Sequence, residues 1–234
     1  MKTNFTIRQE ESKDFFTVEN LVREAFWNVY QPGCDEHFIV KHYRSNPDFI
    51  KELSLVLEVD DKIIGYIMYS KAQIDCNDGT IIDVATFGPL AIHPDFQRQG
   101  FGKILVDYSL EKAKELGIPC VLRCGSGEFY GKSGFGPATT KGVRYADDSE
   151  GDALYFLCKE LKEDFLKDIF GIYHDPKGYF VTHENPEDFE KYDLKFPKKE
   201  KLKLPEFLKG WGSKLLFPHF VFKDKIYDKI KTII

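Results

Sequence analysis

The sequence predicts a mixed α/β fold, and three observations predict it. A strand-like run ends at Leu90-Ala91-Ile92 and passes through a turn bearing Gly100 and Gly102 into an amphipathic helix. Hairpin-like strands precede that unit, joined at Asp60-Asp61 and Asn77-Asp78-Gly79. A short apolar strand, Ile118 to Cys124, follows it.

Taken in order, Phe5 to Arg8 reads as a first strand. Asp14 to Trp27 has helical spacing at Phe15, Val18, Leu21, Val22, Ala25 and Phe26, with Ser12 as its expected N-cap. Asp35 to Arg44 can form a second helix. Leu53 to Val59 and Ile63 to Gln73 alternate as hairpin strands. Thr80 to Ile92 is a long strand interrupted at Gly88-Pro89, where proline removes a ladder donor and predicts a bulge or a break in pairing. Phe101, Ile104, Leu105, Tyr108, Ala113 and Leu116 share one helical stripe, and Gly117 and Pro119 stop it. A short helical turn is expected around Phe129 and Tyr130. Gly136 to Val143 reads as loop or short strand, Ala153 to Cys158 as a closing strand, and Leu161 to Phe170 as a helix. Phe220 to Ile234 is expected to be an amphipathic helix.

The turn from Gln97 to Lys103 carries the first chemical clue. A helix leaves its first N–H groups without intrahelical partners, and its dipole places about half a positive charge there. A phosphate oxygen fits such a site. Two other phosphate signatures are missing. No G-x-x-x-x-G-K-[ST] occurs, and Gly125-Ser126-Gly127 lacks the third glycine of a dinucleotide fingerprint. A P-loop NTPase and a dinucleotide fold are therefore disfavoured. The broken ladder at Gly88-Pro89 reads either as an edge bulge or as a place where free amides meet a ligand.

Gln97-Arg98-Gln99-Gly100-Phe101-Gly102 matches the Q/R-x-x-G-x-G/A acetyl-CoA motif of the GNAT N-acetyltransferase superfamily. Phe129-Tyr130-Gly131-Lys132-Ser133-Gly134-Phe135 resembles its second signature, one helix and one strand further on. The resemblance runs to about Glu160. It implies an α/β (α+β) domain over residues 1–160, with a GNAT-like, mostly antiparallel central sheet whose middle strands splay, and helices on both faces. Residues 161–234 form a lysine-rich C-terminal extension, expected to pack on the domain or at an oligomer interface such as a homodimer's.

The implied activity is acetyl-CoA-dependent transfer of an acetyl group to a primary amine of a small molecule or peptide, by direct attack on the thioester. Acetyl-CoA is the cosubstrate and no metal is expected. The resemblance assigns cofactor contacts to Leu90, Ala91, Ile92, Gln97, Arg98, Gln99, Gly100, Phe101, Gly102 and Lys103. It assigns Tyr130 to the leaving thiolate. A phenol near pKa 10 and a thiol near 8.5 make full proton transfer uphill by about 2 kcal/mol, so a hydrogen bond that strengthens with sulfur charge is the minimum role. Packing against Phe129 and Phe135 is the other use open to Tyr130. Asp83, Glu128 or a water chain could take the amine proton; His93 reads as a structural turn residue. Trp27 to Tyr43 and Gly136 to Asp148 are expected to form the amine pocket. A rival function is an acyl-CoA-binding regulatory module without turnover.

Composition sets the remaining bounds. No apolar run approaches the roughly 20 residues needed to span a bilayer, and no signal-peptide core is apparent, so a cytoplasmic enzyme is expected. The five cysteines include no C-x-x-C pair, which points to free thiols rather than zinc or disulfides. From Lys191 onward twelve lysines face five acidic residues, leaving −12 on the rest of a chain whose net charge is −5. That acidic body and the lack of an RNA-binding motif argue against a nucleic-acid partner.

Overall fold

A computed structural model describes residues 4–203. The expected helix at 220–234 and six of the twelve lysines counted from Lys191 lie outside them. The described residues form a nine-stranded sheet running β1-β2-β3-β4-β5-β8-β6, with β9 alongside β3 and β7 alongside β9. Its strands are β1 (Phe5–Gln9), β2 (Phe49–Val59), β3 (Lys62–Cys76), β4 (Ile81–Ile92), β5 (Cys120–Cys124), β6 (Gly136–Pro137), β7 (Val143–Tyr145), β8 (Phe156–Glu160) and β9 (Gly171–Tyr173). The pairs β1–β2, β2–β3, β3–β4 and β5–β8 are antiparallel, whereas β4–β5 is parallel.

Period-two alternation in β3 explains the layers. Tyr66 and Met68 face one way and pack against Val18, Leu21 and Val22 of α1 (Phe15–Phe26) and Val40 and Tyr43 of α2 (Glu36–Tyr43). Ile67 and Tyr69 face the other way, onto Leu105, Val106 and Leu110 of α3 (Phe101–Glu115). Helices thus cover both faces. The helical stripe expected in α3 supplies buried Phe101, Leu105 and Ala113, while Tyr108 and Leu116 are left exposed.

Three local expectations are corrected. Ser12 does not cap α1: it lies in a 3-10 turn, Ser12–Asp14, closed by a reciprocal box between Glu11 and Asp14. Asp14 also takes a 2.6 Å ion pair from Arg8. Residues 161–170 are turns rather than a helix, because Asp164 and Asp168 adopt positive φ of 54° and 63° and break the repeat. The closing strand begins at Phe156, since Ala153 (φ 38°) turns the chain and Phe156 N–H bonds back to its carbonyl.

Beyond residue 160, β9 joins the same sheet. The chain then forms a strap through α5 (Val181–Glu184) and α6 (Pro186–Asp193) that folds back on α1 and α2. Arg23 of α1, 1% exposed, holds Asp193 at 2.7 Å and the Pro197 carbonyl at 3.1 Å. Trp27 Nε1 donates to the Glu200 carbonyl. The acidic body and the lysine-bearing segment also meet through the ion pair of Lys199 and Glu24.

Candidate active site

The site begins where two neighbouring strands part. β4 and β5 pair only at Ala85–Val121 and Thr86–Leu122. Past that point β4 continues to Ile92 along β3, while β5, paired with β8 over its whole length, parts from it. The expected bulge sits at the divergence. Between the pairs Tyr69–Phe87 and Ile67–Leu90, β4 carries two residues, Gly88 and Pro89, against one on β3.

The bulge decides which amides are free. His93 N–H donates to Ile64 O on β3 at 2.8 Å. Alternation then turns Ala91 toward β3, and Leu90 and Ile92 toward the open side. Leu90 and Ile92 line the cleft between the parted strands, a space of about 1200 Å³. Ala91 does not: its side chain is buried in the α1–α2 core, so its expected cofactor contact finds no support in this geometry.

The glycine turn forms one wall. Gln97, Arg98, Gly100, Gly102 and Lys103 line the cleft. Gly100 caps α3 with φ 91°, a left-handed conformation suited to glycine, and Ile104 N–H makes the first helical bond, to Gly100 O. The amides of Phe101, Gly102 and Lys103 precede that bond and have no intrahelical acceptor. Two side chains brace the turn: Gln97 donates to Ile92 O at 3.0 Å and Gln99 to Asp95 O at 2.9 Å. His93 also serves the turn, since Nδ1 accepts from Asp95 N–H. The Phe101 side chain is core, and Gln99 lies outside the lining, so only their backbones could serve a ligand.

Tyr130 stands at the junction of the walls. Ser126 caps α4 (Gly127–Tyr130), accepting from Phe129 N–H at 3.3 Å, and Gly134 with φ 82° ends the following 3-10 turn. The turn is tied to α3 because Asp107 accepts from Ser133 Oγ at 2.6 Å and pairs with Lys103. Tyr130 is 7% exposed, packs edge-on against Phe129, Phe135 and Phe87, and lines the cleft. Burial raises its phenol pKa, while the neighbouring Arg123 guanidinium opposes the rise.

The other end of the cleft is lined by Phe26, Tyr30, Asp35, Glu36 and Ile39, by Tyr145, and by Asp175, Tyr179, Phe180 and His183 of the strap. The expected pocket segments 27–43 and 136–148 do contribute. The strap does so unexpectedly, and Tyr179 Oη donates to Gly88 O at the bulge. Desolvation, reinforced by Asp35, pushes the Glu36 carboxyl well above the usual range. Glu128 also lines the cleft. Asp83 does not: it is exposed, away from the lining, and accepts from Gln73. It is thereby removed as a candidate base.

The sequence model of the acetyltransferase (GNAT) family matches residues 16–135. The chain belongs to the GNAT acetyltransferase family. Its curated relatives include an uncharacterised N-acetyltransferase, YhbS, of Escherichia coli K12, 28% identical over 53% of this chain and 72% of the relative. The solved structure of E. coli YhbS in complex with CoA superposes with a TM-score of 0.66 at 23% identity, over 76% of this chain and 93% of that one. A GNAT acetyltransferase from Brucella melitensis in complex with acetyl-CoA gives 0.60 at 22% identity, over 76% and 99%. These superpositions show that the mixed, splayed sheet is the GNAT fold. No described helix is long and apolar enough to cross a membrane.

Proposed function

We propose that this GNAT protein transfers acetyl from acetyl-CoA to a primary amine of a small molecule or peptide. One observation carries the reading: the gap between β4 and β5 has an open strand edge on one side, helix N-terminal amides at one end, and a buried tyrosine at its junction. The amides from Gln97 to Lys103 would hold the diphosphate, and the Leu90 and Ile92 edge the pantetheine amides. That neighbour structures were solved with CoA and acetyl-CoA supports the choice of cosubstrate.

In the transfer, the amine lone pair forms the C–N bond and the C–S electron pair leaves with sulfur. Tyr130 gives its phenolic proton to that sulfur and regains one from solvent. The extra proton on nitrogen passes to a base. Of the carboxylates that line the cleft (Asp35, Glu36, Glu128 and Asp175), we assign this step to Glu36 or Glu128, alone or through water. A carboxyl raised by burial suits general-base work near neutrality better than an ordinary one.

The test is acetyl-CoA titration by calorimetry, followed by thiol release with a panel of amines. Micromolar binding with turnover on at least one amine is expected. Binding with no transfer to any amine would instead identify an acyl-CoA-responsive module.

A further inference from the structure

The residue that the activity leaves unexplained is Arg123. It follows the last β4–β5 pair and lies inside an apolar strand. Its guanidinium carbon sits 3.9 Å from the Tyr130 ring centroid and 4.4 Å from that of Phe87. Nε and Nη2 both donate to the Cys124 carbonyl, at 3.0 and 2.9 Å. Nη1 is buried and has no hydrogen-bond acceptor among the described residues. An apolar side chain of similar size would fill this place without leaving a donor unpaired, so plain packing does not account for an arginine.

We propose that Arg123 is a positioning residue for the transfer: its guanidinium holds the Tyr130 ring and supplies the fixed positive charge that stabilises the phenolate left when Tyr130 gives its proton to the departing thiolate. The inference rests on the reading of Tyr130 as proton donor. Phenolate and guanidinium form a transient ion pair, and the phenolate is reprotonated from solvent, so the cycle balances with no further reactant. The other ionisable groups around this pair are Tyr69 on β3, Cys124 on β5, Glu128 and Lys132 on the turn, and Asp175 and Tyr179 on the strap. Burial keeps Tyr69, Cys124 and Tyr179 neutral at physiological pH, and Arg123 is the cation in van der Waals contact with the ring.

The experiment combines kinetics with direct titration of Tyr130 in protein labelled at tyrosine Cζ, its resonance assigned with Tyr130→Phe. In Arg123→Met the phenol should become about tenfold harder to ionise. The turnover number should fall by about the same factor, with little change in the KM for acetyl-CoA. The alkaline limb of the kcat profile should move to higher pH, because activity needs the protonated phenol. Arg123→Lys should recover much of the rate, and millimolar guanidinium should partly rescue Arg123→Ala. Those two variants decide the matter if Arg123→Met does not fold. Unmoved Tyr130 titration, or full turnover in folded Arg123 variants, overturns the proposal. If Tyr130→Phe itself is fully active, the fault lies with the proton-donor reading on which the proposal rests.

Discussion

A Cβ on Gly125 would stand 2.5 Å from Cε2 of Tyr130, so the residue that follows β5 and the proposed acid sit closer than any side chain at 125 would permit. Gly125→Ala must move the Tyr130 ring or the backbone. Overpacking of this kind costs roughly 1–3 kcal/mol. Thermal unfolding should show that loss, and kcat should drop while acetyl-CoA binding stays near wild type. A variant of full stability and full turnover would show that the ring has room to move.

Tyr130→Phe keeps the aromatic packing with Phe87, Phe129 and Phe135 and removes only the hydroxyl. Loss of a positioned acid costs on the order of 10²-fold in rate. Steady-state kinetics should show that loss in kcat and little change in cofactor affinity. Equal turnover would return Tyr130 to a packing role.

Gly100→Val tests the helix N-terminus. A Cβ there meets nothing within 4 Å, so the penalty comes from the backbone at φ 91° and from bulk added at the mouth of the amide cradle. A β-branched residue in the left-handed region costs about 1–2 kcal/mol. Calorimetry should record acetyl-CoA binding weakened by about tenfold or more. Unchanged affinity would move the diphosphate elsewhere.

Stability should fall in acid through Asp14. Its hydrogen-bonded pairing with Arg8 holds the carboxyl below the ordinary Asp range in the folded state. A depressed folded pKa gives stability that is complete above the unfolded value, near 3.9, and is lost as pH falls through the folded one. Asp14→Asn should lose about 1.5–3 kcal/mol at neutral pH, the worth of hydrogen bonds to a charged group, and show a flatter acid limb. Denaturant midpoints measured between neutrality and strong acid check both.

Asp193→Ala should loosen the strap. It leaves the Arg23 guanidinium buried without its carboxylate, a loss of about 3–5 kcal/mol. Limited proteolysis near residues 185–203 should accelerate, and the cleft should lose its Tyr179 wall. Unchanged proteolysis would mean that the packing of Tyr192 and Phe196 of the strap on Phe38 of α2 suffices.

The parts of this design that follow from local rules were legible in the sequence. The α3 stripe, its glycine cap, the Gly88-Pro89 bulge and the short helix carrying Tyr130 each depend on spacing or on a residue with one conformational use. What stayed hidden depends on contacts far apart in the chain. Asp164 and Asp168 look compatible with a helix until their positive φ is known. Arg123 sits in a run whose neighbours are apolar, so nothing local singles it out. Tyr179 and His183 reach the cleft on a strap that Arg23 and Asp193, 170 residues apart, help clasp to α1. Asp83 misleads in the reverse sense: four residues before Phe87, it occupies the wrong end of a long strand.

The parted strands carry one last implication. β4 is stitched to β3 along its length, so the margin it turns to the cleft is stiff before anything lies against it. A ligand that threads this margin would find its hydrogen-bonding partners already aligned, and the disorder surrendered on association would come mainly from the ligand's own rotatable bonds. Shortened or cyclised pantetheine mimics should therefore gain affinity chiefly through entropy.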